Sequence, residues 1–139
     1  MTSLPCPDAE LQLACDPRWL AAIELFNTGE WYSAHDALEE LWHESSGALR
    51  LMLQGILQIA VSQLHRERGN ARGAVILMGE GLGRLTRCSD AMAGYDLKAL
   101  RHAAAQHLAE LQAANETAAH AAVQTRALPP LAVQRCESI

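Results

Sequence analysis

The run from Leu51 to Leu64, LMLQGILQIAVSQL, is the longest stretch of the chain without a charge, and it constrains the fold more than any other feature. It is too short to cross a bilayer, which takes about 20 apolar residues, and it carries Gln54, Gln58 and Gln63. It therefore reads as part of a soluble protein's core. It lies within the longest and most apolar predicted helix, Ala48 to Arg68. Gly69 suits the position just past that helix, and Arg66 and Arg68 in its last turn complement the helix dipole. No strand pattern is legible anywhere, and the apolar half of the chain is mostly Ala and Leu, a mix that favours helices.

The remaining punctuation divides the chain into helices. Asp16-Pro17 supplies an N-cap acceptor followed by proline at the first helical position, and that helix stops near Asn27-Thr28-Gly29. A second spans about Glu30 to Glu44 and is closed by Ser45-Ser46-Gly47. After the apolar helix, Asn70 caps a fourth through about Thr86. Gly73, Gly79, Gly81 and Gly83 weaken that helix and permit close approach of a neighbour. Asp96 caps a fifth, LKALRHAAAQHLAELQAA, after a loop around Cys88 to Tyr95. The expected architecture is all-α, a compact antiparallel bundle of about five helices joined by short connections. Residues 1–15 read as an irregular lead-in, 16–115 as the single bundle domain, and 116–139 as a loose or peripherally docked tail.

At 139 residues the chain is of one-domain length. A net charge of −5 argues against a nucleic-acid partner or an anionic membrane surface, since either needs a basic field. Arg66, Arg68 and Arg72 read as solvated helix ends. Cys6, Cys15, Cys88 and Cys136 have neither zinc-ribbon spacing nor the density of a disulfide framework. They read as reduced thiols of a cytoplasmic protein, and the N-terminus lacks the features of a signal peptide. No phosphate loop or dinucleotide fingerprint is present.

Chemistry concentrates on two apolar faces. In the helix 30–44, His35, Glu39 and Trp42 share one stripe beside Trp31 and Leu38, whereas Asp36, Glu40 and His43 point towards water. On the apolar helix, Gln54, Gln58, Val61 and His65 fall on one stripe. Antiparallel packing would set His35 and Glu39 against Gln58 and His65, with Trp42 and Gln54 beside them. A structural polar network or interaction module is the leading reading, because a charge on the buried side needs a partner. One alternative is a single divalent metal ion held by His35, Glu39 and His65. Another is hydrolase-like proton transfer, with Glu39 orienting a histidine as general base. Glu40 and His43 have the glutamate–histidine spacing of di-iron bundles, but only one such pair exists. His102, His107 and His120 read as exposed.

Gly29 and Ala34 are echoed by Gly69 and Ala74, each pair five apart at a helix start. The pattern is similar to a tetratricopeptide helix pair, but the 40-residue offset differs from the usual period of about 34. The Gly-rich and Ala-rich faces also leave homo-oligomerisation, or docking of a protein partner, as an expectation.

The segments FNTGEWYSAHDALEELW and LQGILQIAVSQLHRERGNARGA together resemble domain-of-unknown-function family 309. The resemblance rests on a phenylalanine–asparagine turn, an aromatic residue, an "AHE"-like triplet leading to a glutamate and tryptophan, and a "QG-IQ-A" helix ending in a histidine and "GN". Asp36 stands where that family usually shows glutamate. The resemblance implies a compact helical domain without an established activity. It also implies that Phe26, Asn27, His35, Glu39, Trp42, Gln54, Gln58, His65 and Asn70 occupy signature positions.

Overall fold

The computed structural model describes residues 8–116 and 128–136. Cys6 and His120 lie outside the described residues. The six helices among them are α1 (Asp8–Ala14), α2 (Pro17–Asn27), α3 (Trp31–Glu44), α4 (Gly47–Glu67), α5 (Ala71–Leu85) and α6 (Leu97–Glu116). Three two-residue strands, β1 (Ala91–Met92), β2 (Tyr95–Asp96) and β3 (Gln134–Arg135), form one small antiparallel sheet in the order β1-β2-β3. No helix among the described residues is long and apolar enough to cross a membrane.

The caps act where the sequence places them. Asp16 Oδ1 accepts from the Arg18 N–H at 2.9 Å, Asn70 Oδ1 from Gly73 N–H at 3.0 Å, and Asp96 Oδ1 from Ala99 N–H at 2.9 Å. Two of the turns share one design. In each, a glycine with positive φ (Gly29 at 79°, Gly69 at 80°) follows the last helical turn. The next N–H then bonds back to a carbonyl five residues earlier, Glu30 to Leu25 at 2.9 Å and Asn70 to His65 at 2.8 Å. These are Schellman turns, and glycine is required because a side chain is strained at that φ. The repeated Gly…Ala pattern follows from this: Ala34 and Ala74 sit one turn into the next helix and are fully buried.

Consecutive helices are neighbours, and α4 lies between α3 and α5. This explains why α4 is apolar nearly all round: Met52, Leu53, Ile56, Ile59 and Ala60 are at most 1 % exposed. Burying each of the larger side chains contributes about 1.5–3 kcal/mol. The α4–α5 contact is close because two glycines meet there. A Cβ on Gly81 would lie 2.8 Å from the Gly55 carbonyl oxygen and 3.0 Å from Ile59 Cγ1. Of the glycines on α5, Gly81 and Gly73 are hemmed in, whereas Gly79 and Gly83 face open space. The Gly81 face is thus consumed within the chain rather than left for a second copy.

Arginines fasten the outside. Arg18 reaches from α2 to Glu40 (3.1 Å) and Glu44 (2.7 Å) of α3. Arg101 of α6 donates to the Leu85, Cys88 and Ser89 carbonyl oxygens at 3.3–3.4 Å and also pairs with Asp90, clasping the end of α5.

Three expectations need correction. Within the lead-in, residues 8–14 are helical. Proline before a helix start is no obstacle, and α1 is anchored by burial of Leu13 and by Glu10 Oε2, which accepts from the Ala93 N–H at 2.9 Å. The loop before α6 contains a hairpin, Ala91↔Asp96 and Met92↔Tyr95, turned by Ala93 (φ 52°) and Gly94 (φ 84°). Strands of two residues carry no period that a sequence can display. His107 is half-buried rather than exposed, because its Nε2 meets the Pro129 carbonyl oxygen at 2.7 Å.

Candidate functional site

The stripe of α3 that faces the core is Ala34, Leu38 and Leu41, all buried. His35, Glu39 and Trp42 lie beside it and are half-buried, while Asp36, Glu40 and His43 are exposed, as the periodicity requires. Only Ser45 and Ser46 separate α3 from α4, so the two helices fold back on one another. The level of their pairing is marked by Arg50, whose guanidinium carbon lies 3.8 Å from the Trp42 ring centroid. The edge of α4 that remains half-exposed is Arg50, Gln54, Leu57, Val61 and Leu64, spaced three or four apart.

From that edge the polar contacts run across to α5. With its amide oxygen turned towards the guanidinium, Gln54 accepts from Arg84 Nη2 at 3.2 Å and Nε at 3.3 Å. Gln58 is nine-tenths buried, and its Nε2 donates to Glu80 Oε1 at 3.1 Å. Gln54 and Gln58 are four apart on α4, and Glu80 and Arg84 are four apart on α5. The two helices therefore match rung for rung. Glu80 and Arg84 thus join Gln54 and Gln58 in the seam. Their i, i+4 spacing on a glycine-rich helix is the signal that marks them.

The cluster expected from pattern is only partly assembled. Each residue of helix advances about 1.5 Å, so from the Trp42–Arg50 level His35 lies about 10 Å along α3 and Gln58 about 12 Å along α4. Glu39 and Gln54 are level in the same way. His65, about 22 Å along α4, lies beyond them. Its Nδ1 accepts from Asn70 Nδ2 at 3.0 Å, and Asn70 in turn caps α5, so His65 holds a helix junction. No hydrogen bond joins His35, Glu39, Gln58 and His65 to one another among the described residues. Nor do three His, Cys, Asp or Glu side chains among them group so as to hold a metal ion. The set His35, Glu39 and His65 is not brought together, because the register of α3 on α4 separates its third member.

Instead, the face carries polar atoms without partners. The His35 Nδ1, Trp42 Nε1 and Gln58 Oε1 atoms are buried and make no hydrogen bond. The His35 Nδ1 atom lies 3.6 Å from Asp36 Oδ1, beyond hydrogen-bond distance. Such atoms cost stability when left unpaired. All three belong to signature residues, although Trp19 Nε1 and Gln63 Nε2, outside the signature, are also buried without a partner. The signature residues Phe26, Asn27, Gln54, His65 and Asn70 have structural work. The Asn27 amide brackets Val133, donating to its carbonyl oxygen at 3.1 Å and accepting from its N–H at 2.8 Å. Phe26 packs edge-on against Trp31, centroids 5.1 Å apart.

A separate charged cluster at the α2–α3 end gathers three carboxylates around one guanidinium. The Arg18 guanidinium bonds Glu44, Asp16 and Glu40, which holds the Glu44 and Asp16 carboxyls below their ordinary range and pushes its own titration up. Beside it lies a cleft of about 230 Å³ lined by Asp16, Arg18, Glu44, Ser45, Ser46 and Leu49, among others. Burial pushes the Cys88 thiol up, and Cys15, Cys88 and Cys136 are free.

These features define a small helical protein of antiparallel helices joined by tight capped turns, with a polar seam along the outer edge of its central helix. Residues 19–77, which run from α2 into α5, match the family model described as Domain of unknown function (DUF309), in agreement with the motif resemblance. No curated protein matches the chain.

Proposed function

We propose that this protein is a protein-interaction module and that the α3–α4–α5 face is its binding surface. The observation that carries the reading is the trio of unpartnered buried atoms on His35, Trp42 and Gln58. Trp42 Nε1 can only donate and Gln58 Oε1 can only accept. Both atoms are closed to solvent in the free chain, so a peptide main chain, with a carbonyl and an N–H at each residue, would answer them once the Trp42 and Gln58 side chains turn outward. The half-exposed Leu57, Val61 and Leu64 offer apolar contact beside them. Trp42 and Arg50 are of the residue types that dominate interface energetics.

The test is photo-crosslinking in the native host, with the probe at Leu57 on this face and, in a second strain, at Lys98 at the start of α6. The expected result is a discrete adduct from Leu57 alone, lost in Trp42→Phe, a variant that keeps the ring and removes the N–H. Identical adducts from both positions, no adduct from Leu57, or an adduct indifferent to Trp42→Phe would overturn the reading.

A further inference from the structure

Between α2, β2 and α6 the chain binds its own residues 128–136. Leu131 and Val133, two residues apart, are buried (7 % and 1 % exposed), while Gln134, Arg135 and Cys136 are exposed. The rest of the attachment is largely main-chain. β3 pairs antiparallel with β2 (Tyr95↔Arg135, Asp96↔Gln134), and Cys136 N–H donates to the Gly94 carbonyl oxygen at 2.9 Å. Asn27 brackets both main-chain groups of Val133, and His107 holds the Pro129 carbonyl oxygen. An amide side chain that reads a residue's N–H and C=O, beside a strand edge and a buried Leu-x-Val pair, is the chemistry of strand addition. Pro129 and Pro130 favour an extended approach, which lowers the ordering cost. Open clefts flank the segment. One of about 440 Å³ runs between it and α6, lined in part by Lys98, His102 and Ala132. Another of about 470 Å³ runs between it and α2, lined in part by Leu20, Ile23 and Asn27. Asn27 lies inside the span matched by the family, and the segment it grips lies outside that span.

We infer that the α2–β2–α6 groove is a site for extended peptides carrying an apolar-x-apolar pair of the Leu-x-Val type, and that residues 128–136 occupy it in cis. The tethered segment competes with an external peptide at a local concentration of the order of millimolar. Displacing it opens the site. This inference does not depend on the α3–α4–α5 face, and its test uses different residues.

The experiment is fluorescence anisotropy with a labelled peptide of residues 128–136 carrying Cys136→Ser, titrated with the full chain and with the full chain bearing Val133→Asp. The expected result is a folded Val133→Asp chain that binds the peptide at least tenfold more tightly than the unmodified chain. Adding Asn27→Ala, or placing Val133→Asp in the peptide, should remove at least tenfold of that affinity. A folded Val133→Asp chain that gains no affinity overturns the inference. Hydrogen exchange on the unmodified chain decides the matter if that variant does not fold. Val133 and Cys136 amides should exchange through an opening that leaves α4 amides protected. Exchange of these amides only together with α4 would make the segment an inseparable part of the core and overturn the site.

Discussion

Gln58 joins the structural and functional readings at the scale of a single residue. Its Nε2 is satisfied by Glu80, while its buried Oε1 has no partner, so the side chain does little net work for the fold. Gln58→Met keeps the length and removes both the one good bond and the one unpaired acceptor. Hydrogen bonds of this kind contribute roughly 1 kcal/mol and an unpaired buried acceptor costs roughly 1–3 kcal/mol. Urea unfolding should therefore place Gln58→Met within about 1 kcal/mol of the unmodified chain, or slightly above it. A loss beyond about 3 kcal/mol would mean that Gln58 is a structural keystone, as breaking a tightly satisfied network would give. His65 shows the opposite division of labour. Its place in the motif could be read from the residues alone, but its role in holding the Asn70 cap could not. The choice between facing His35 and facing Asn70 depends on where the α4 turn ends in space.

At the scale of elements, the closest packing is between α4 and α5, and it rests on Gly55 and Gly81. A methyl group at Gly81 meets a backbone carbonyl at 2.8 Å, which a rotamer change cannot relieve. Gly81→Ala should lower stability by about 1–3 kcal/mol through separation of the helices. Gly83→Ala, on the same helix but facing open space, should raise it by up to about 1 kcal/mol through helix propensity. Thermal melts of the pair check this, and equal shifts of the same sign would refute the close approach as the reason for Gly81. The sequence showed four glycines on one helix without distinguishing them. Only the position of α4 separates Gly73 and Gly81 from Gly79 and Gly83.

Across the whole molecule, the charges that tie the fold together gather around Arg18, which links the α2 cap to α3. Asp16 and Glu44 have their carboxyls depressed mainly by hydrogen bonds from this guanidinium. A depressed carboxyl contributes stability that is present above its unfolded pKa, about 4, and is lost as pH falls through the lower folded value. The partners are exposed, so the contribution is modest. Arg18→Gln should therefore melt below the unmodified chain at pH 7, and the two melting curves should converge below about pH 3. A gap that stays constant down to pH 2 would rule out the ion pairs as its source.

The helical class, the caps at Asp16, Asn70 and Asp96, the two glycine turns and the side of α3 that faces solvent are all local properties. They follow from φ preference, hydrogen-bond geometry within a few residues and the 3.6-residue period, and so the sequence by itself determined them. The hairpin, the pairing of β2 with β3, the return of residues 128–136 and the rungs from Gln54 to Arg84 and Gln58 to Glu80 join residues distant along the chain or too few to show a period. The same holds for the separation of His65 from His35, which no spacing within one helix encodes. These were decided by tertiary structure, because the axial register of one helix on the next is set by the packing of whole side-chain surfaces.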